Sequence, residues 1–214
     1  MSMKDMPVWQ EGEEFVNSLT HGIGAGLALI GTGMLVRAGI KSRDNYRLAG
    51  NIIFGLSMII LYTVSCVYHG IGDGPNKRIM RYVDHCSVFI LIAGSYAPLT
   101  LTVLRNNGGL LILALVWSIA LFGIFAKIFF FDLIDPYTVY VYIAMGWVIV
   151  FSLKALIKNV SKKGLFYLVL GGILYTAGTY FYNLDQIIAW YHAIFHFFIL
   201  GGTFSHFVCM RWYV

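Results

Sequence analysis

The sequence predicts an all-α fold: a polytopic membrane protein built as a bundle of seven transmembrane helices. Three observations predict it. Hydrophobic residues make up 59% of the 214 residues and charged residues only 12%, about half the charged share of ordinary soluble chains. The mean hydropathy is +0.76. The apolar residues also gather into seven segments, each near the roughly 20 residues that a helix needs to cross a hydrocarbon core.

The first segment, about 20–40, carries "HGIGAGLALIGTG", where small residues let neighbouring helices approach closely. "KSRDNYR" separates it from the second, about 48–71, and "GDGPNKR" precedes the third, about 82–104. "RNNGG" leads into 109–130, "FDLIDP" into 137–157, "KNVSKKG" into 164–182 and "YNLDQ" into 189–212. These breaks are too short to hold another domain, so residues 1–214 read as one domain. The start of the chain contains Glu11, Glu13 and Glu14 and lacks an apolar core, which argues against a removable signal peptide. Cys66, Cys86 and Cys209 are odd in number, have no C-x-x-C spacing and read as small packing residues.

The basic residues, behind a pI near 9.1, are scattered among short loops, with no basic helix or aromatic-interleaved patch to bind nucleic acid. In a membrane protein they set topology instead. Lys4, Lys77, Arg78, Arg81 and Lys127 fall on the N-terminal side, and the other ten of the fifteen Lys and Arg fall opposite. By the positive-inside rule the N-terminus is external and the C-terminus cytoplasmic. Lys127, near the end of the fourth segment, reads as an interfacial residue that snorkels.

Alternate spans run in opposite directions, which brings five of the six histidines to one membrane face. His21 opens the first span, His69 closes the second, His85 opens the third, and His192 and His196 open the seventh. His206 lies about 21 Å further along its helix than His192 and drops out as a histidine hydrogen-bonded near the far interface. Asp84 joins the same depth, and a carboxylate inside a span has to be paired or wetted. Ser65 precedes His69 by four residues and shares its helix face.

His69, His192, His196, Asp84 and Ser65 together suit Zn²⁺. Three neutral imidazoles leave a fourth tetrahedral position for water, whose pKa the metal lowers and whose proton a nearby carboxylate can take. Asp84 fits that base, with Ser65 as its orienter or as a donor to an oxyanion. The ligand types also accept iron or another divalent metal. Blander readings stand beside these: an interfacial H-x-x-x-H pair, Asp84 paired with Arg81, and Ser65 bonded to its own helix. Glu14, Asn17 and His21, at i, i+3 and i+7, share one face, and His85 is turned about 100° from Asp84. All four are expected to be structural or to support the ligands from behind.

"ExxNSLTHGIG" at 14–24, "SCVYH" at 65–69, "DHCSVFILIAGSYAP" at 84–98 and "HAIFHFFILGG" at 192–202 resemble the bacterial hemolysin-III-like proteins of the progestin and adipoQ receptor family. The resemblance covers essentially the whole chain. It implies zinc on His69, His192 and His196, with Asp84 reaching the metal through water. The family is similar to the alkaline ceramidases, which implies hydrolysis of a lipid amide or ester, lipid homeostasis as the role and membrane lipids as partners. It further implies the bacterial cell membrane as location, although the animal adiponectin receptors place their N-terminus in the cytoplasm, opposite to the charge count here. Two alternatives are carried forward: a receptor or sensor with a structural zinc, and, from the family's name, a pore-forming hemolysin. The second has little support, because no span carries a ring of charged residues.

Overall fold

The computed structural model describes residues 9–214, so the basic residue Lys4 lies outside the described part. Eight α-helices and one 3₁₀ segment follow one another, with no strand among the described residues. They form seven helical stretches long and apolar enough to cross a membrane. These are α1 (Glu13–Ser42), α2 (Asn45–Gly70), α3 (Pro75–Leu101), α4 (Gly109–Phe129), a fifth stretch over 131–159, α7 (Lys162–Leu184) and α8 (Tyr191–Trp212). The fifth stretch is composite: α5 (Phe131–Trp147), a 3₁₀ segment (Val148–Ser152) and α6 (Leu153–Asn159).

Local chemistry sets the boundaries. Asp44 caps α2 by accepting hydrogen bonds from the Tyr46 and Arg47 amides, and Ser161 caps α7 through the Gly164 amide. Pro75 occupies the first turn of α3, where its missing N–H is not needed. Gly108, at φ +80°, makes the left-handed turn into α4. The 3₁₀ break follows Gly146 and Trp147 and contains the β-branched run Val148, Ile149 and Val150, and Tyr96 of α3 holds it. The Tyr96 hydroxyl lies 2.8 Å from the Met145 and Gly146 carbonyl oxygens and accepts from the Ile149 amide at 3.1 Å.

α1 packs on α2 and α8, α2 on α3, α3 on α4, and α7 on α8. One apolar cluster, around Leu35, Phe54, Met58, Leu61 and Leu99, joins α1, α2, α3 and the C-terminal end of α8. A second, around Phe89, Ala93, Tyr96, Val116 and Met145, joins α3, α4 and α5. Large apolar side chains cover the outside, up to Phe151 at 89% exposed. Water would not tolerate that surface, whereas hydrocarbon requires it.

The structure differs from the sequence reading at Lys127. Its side chain is fully buried rather than snorkelling, ion-paired with Asp135 and set over the Phe131 ring. The "FDLIDP" stretch, expected to be a break, instead forms the first turns of α5, and this folds Asp135 back against the end of α4. A lysine with a carboxylate within reach inside the bundle has no reason to extend to the interface.

Candidate metal centre

The helix polarity brings the end of α2 beside the start of α8. His69 stands in the last turn of α2, and His192 and His196 occupy the first two turns of α8. All three are buried. Their ring centroids form a triangle with sides of 4.9, 5.1 and 4.7 Å. One nitrogen from each lies within 4.8 Å of the other two, close enough to hold one metal ion.

The outer nitrogens show which atoms face inward. His69 Nδ1 is 2.5 Å from Glu14 Oε2. His192 Nδ1 is 2.6 Å from Asp185 Oδ2. A carboxylate accepts, so each imidazole donates its Nδ1–H and leaves Nε2 as a bare lone pair. His196 reaches the same state through a hydroxyl. Thr20 gives its one proton to the Asn17 carbonyl at 2.9 Å and therefore accepts from His196 Nδ1 at 3.1 Å. His69 Nε2 is buried with no hydrogen-bond partner in the protein. Three inward lone pairs, each fixed from behind, suit a borderline-soft divalent cation.

The carboxylates are themselves held. Glu14 Oε1 accepts from Lys77 Nζ at 2.5 Å, and Lys77 also donates to the Ile71 carbonyl at 3.1 Å. Asp185 Oδ1 accepts from Gln186 at 3.0 Å. The Trp9 ring packs against the histidines, 4.5 Å from His192 and 6.2 Å from His69 between centroids.

Asp84, in α3, borders the same space as His192 and His196, and Ser65, in α2, lines it beside them. Asp84 and Ser65 line one end of a cavity of about 590 Å³. Beyond them the walls turn apolar, through Leu91, Ile92 and Leu99 to Leu168, and the cavity ends near His206. That is about 21 Å along α8 from His192. His206 donates from Nε2 to the Leu168 carbonyl at 3.1 Å, a local role.

The remaining expected residues divide. Glu14 touches His69 directly. His21 stacks on His196, with centroids 3.5 Å apart and planes 7° from parallel. Asn17 supports His196 only through its backbone. His85 lines the same cavity but is not one of the three clustered histidines. Its Nδ1 donates to the Arg81 carbonyl at 2.9 Å and its Nε2 lies 3.3 Å from the Tyr182 hydroxyl. Arg81 in turn lies 3.9 Å from Asp135. Sequence reasoning missed Asp185, Thr20, Lys77 and Trp9. Asp185 left a signal, an acid in the "YNLDQ" break on the same membrane face as His192, but a loop residue has no helical register to aim it.

A family model described as "Haemolysin-III related" matches residues 9–207. The chain is 38% identical over 201 residues to "Hemolysin-3 homolog" of Bacillus subtilis (strain 168), covering 94% of both chains. It is 36% identical over 202 residues to "Hemolysin-3" of Bacillus cereus, covering 94% of this chain and 92% of the relative. The human "Monocyte to macrophage differentiation factor" is 29% identical over 214 residues, covering 94% of this chain and 84% of its own length. No solved structure matches the chain.

Proposed function

The chain belongs to the haemolysin-III-related family, as a multi-pass membrane protein, and we propose that it is a zinc-dependent hydrolase of an amide or ester bond in a membrane lipid. One arrangement carries the reading: three clustered histidines beside a carboxylate outside that cluster, at the polar end of an apolar cavity. The cavity is in the size range of small-ligand sites and has the wall chemistry of an acyl-chain site.

His69, His192 and His196 would hold the zinc, which when bound supplies Lewis acidity that polarises a carbonyl and acidifies water. Asp84 acts as general base, accepting a proton at its carboxylate from attacking water and returning it to the departing amine or alcohol. Ser65 orients that carboxylate. Its hydroxyl, in the wall of the same cavity, also serves as a donor to a developing oxyanion. Trp9 restricts bulk water above the histidines, and the cavity places the acyl chain.

The test is metal analysis and turnover on detergent-purified protein without a histidine tag. The expected result is about one zinc per chain, lost in His69→Ala and in the His192→Ala, His196→Ala double variant. Asp84→Asn keeps the metal and loses cleavage of ceramide-like or acyl-lipid substrates. Cleavage surviving in Asp84→Asn would remove the base from the mechanism.

A second reading, a receptor or sensor whose metal is structural, is favoured by the burial of all three histidines. It predicts that a chelator lowers the melting temperature and that no lipid is turned over. We further infer an external N-terminal face. Of the basic residues on that side, Lys77, Arg81 and Lys127 are buried beside carboxylates rather than exposed in loops, which widens the charge asymmetry.

A further inference from the structure

From Pro136 to Leu184 the only charged side chains are four lysines, Lys154, Lys158, Lys162 and Lys163. They stand at the corner where α6 meets α7, and all four are exposed. The corner is firmly seated. Ser161 caps α7, and a side chain at Gly164 would collide with Val160 and with Tyr213, so α7 starts flush against the C-terminal end of α8. The histidine triad lies at the other end of α8. α6 itself shows three faces. Leu156 is buried in the core, with Val160 one turn on. Leu153 and Ile157 point outward at 47% and 60% exposure, and Phe151 and Phe166 are exposed before and after them in the chain. Lys154 and Lys158 follow Leu153 and Ile157 by 100° round the helix. One stripe meets the core, one suits hydrocarbon and one suits headgroups, which is the pattern of an interfacial helix.

The charges at this corner are not balanced by the protein. Lys154 and Lys158 are an i, i+4 pair of like charge, which repels, and Lys162 and Lys163 are neighbours. Among the described residues no carboxylate forms an ion pair with any of the four. Asp44, the acid on this membrane face, is engaged in capping α2. On the triad face the pattern is reversed, with Lys77 paired to Glu14 and Lys127 to Asp135.

We propose that the corner between α6 and α7 binds the headgroup of an anionic phospholipid, the lysines donating to its phosphate and Leu153, Ile157 and Phe166 meeting its acyl chains. The exposed apolar side chains beside the lysines select a lipid over a soluble phosphate. A cluster of four or more cations at the end of a span is what an anionic leaflet attracts, and each contributes about fivefold to affinity. This surface is separate from the metal centre and does not depend on the hydrolase reading. Leu156, on the core face of α6, also lines the cavity, so the helix that meets the headgroup is a wall of that cavity as well.

The test uses the intact chain, delipidated in a neutral detergent, with bound lipid counted by native mass spectrometry. Phosphatidylglycerol and phosphatidylcholine with the same acyl chains are titrated in turn, so that a chain held in the cavity contributes equally to both. Wild type binds phosphatidylglycerol more tightly, by a margin that shrinks as ammonium acetate is raised. Replacing Lys154, Lys158, Lys162 and Lys163 with glutamine lowers phosphatidylglycerol affinity by about fivefold per lysine removed, and replacing all four with arginine keeps it. Arg37→Gln, Lys41→Gln removes a matched i, i+4 pair of exposed cations on the same membrane face and leaves binding unchanged. The substituted side chains are all exposed, so folding is not at stake, and detergent removes the orientation in the membrane that lysines also bias. Equal binding of the two lipids by wild type overturns the proposal. So does a loss in the Arg37, Lys41 variant as large as that in Lys154→Gln, Lys158→Gln, which would show only the diffuse field of the whole face. Binding of glycerol phosphate or polyglutamate in place of phosphatidylglycerol would overturn it too, in favour of a soluble anion or an acidic protein partner.

Discussion

Replacing Asp185 with alanine removes the group that holds His192 from behind. The bond is short, 2.6 Å between His192 Nδ1 and Asp185 Oδ2, and the two side chains are only 9% and 6% exposed. Without it the imidazole is free to place its proton on Nε2, the atom that faces the other histidines, and the ring loses basicity. Losses of this kind typically weaken metal binding by about 10–100-fold, or roughly 1.4–2.8 kcal/mol. The charge-assisted, buried geometry places Asp185→Ala at the upper end of that range. Thr20→Val removes a neutral bond of 3.1 Å to His196 and falls near the lower end. Asp185→Asn keeps an accepting oxygen without the charge and lies between them. Competition against a chromogenic zinc chelator in detergent measures all three, with metal-free melting curves to confirm that each variant folds. A folded Asp185→Ala protein with wild-type affinity would refute the reasoning, as would a larger loss in Thr20→Val than in Asp185→Ala.

The other predictions use different parts of the bundle. Lys127→Met leaves the Asp135 carboxylate buried without its ammonium partner and should destabilise the protein by about 3–5 kcal/mol; thermal unfolding in detergent reads this, the Lys127→Met, Asp135→Leu double variant should recover much of it, and an unchanged single variant would disprove the burial of the pair. Tyr96→Phe deprives the 3₁₀ segment of the hydroxyl that meets the Ile149 amide and the Met145 and Gly146 carbonyls, so the melting temperature should drop by the equivalent of about 1–3 kcal/mol. For the external N-terminal face, a fluorescent protein fused to the C-terminus should fluoresce, and alkaline phosphatase fused there should be inactive; the reverse pattern would show that the charge asymmetry does not set the orientation.

The fold was legible because membrane helices announce themselves by length and apolarity, and the site was partly legible because helical spacing carries information. His192 and His196 share a face by their four-residue separation alone, and topology brings His69 to the same depth. What lay hidden depended on contacts that no period encodes. Asp185 reaches His192 from the turn before α8, and Lys127 meets Asp135 only because "FDLIDP" folds into helix. The most instructive case is α1. Read as i, i+3 and i+7, Glu14, Asn17 and His21 formed one supporting face, yet the structure sends Glu14 to His69 and Lys77, and groups Asn17 and His21 with Glu13 instead. Both groupings are compatible with a 3.6-residue period, because neighbouring residues on a helix differ by only 100°. The partner helix decides between them. α2 brings up His69 and loop residue Ile71 fixes Lys77, so a carboxylate is required at residue 14. On the adjoining face the side chains of Glu13, Asn17 and His21 have no comparable partner. Adjacent glutamates thus meet different surroundings: Glu14 accepts hydrogen bonds from His69 and Lys77, and Glu13 accepts only the Gln10 amide one turn before it.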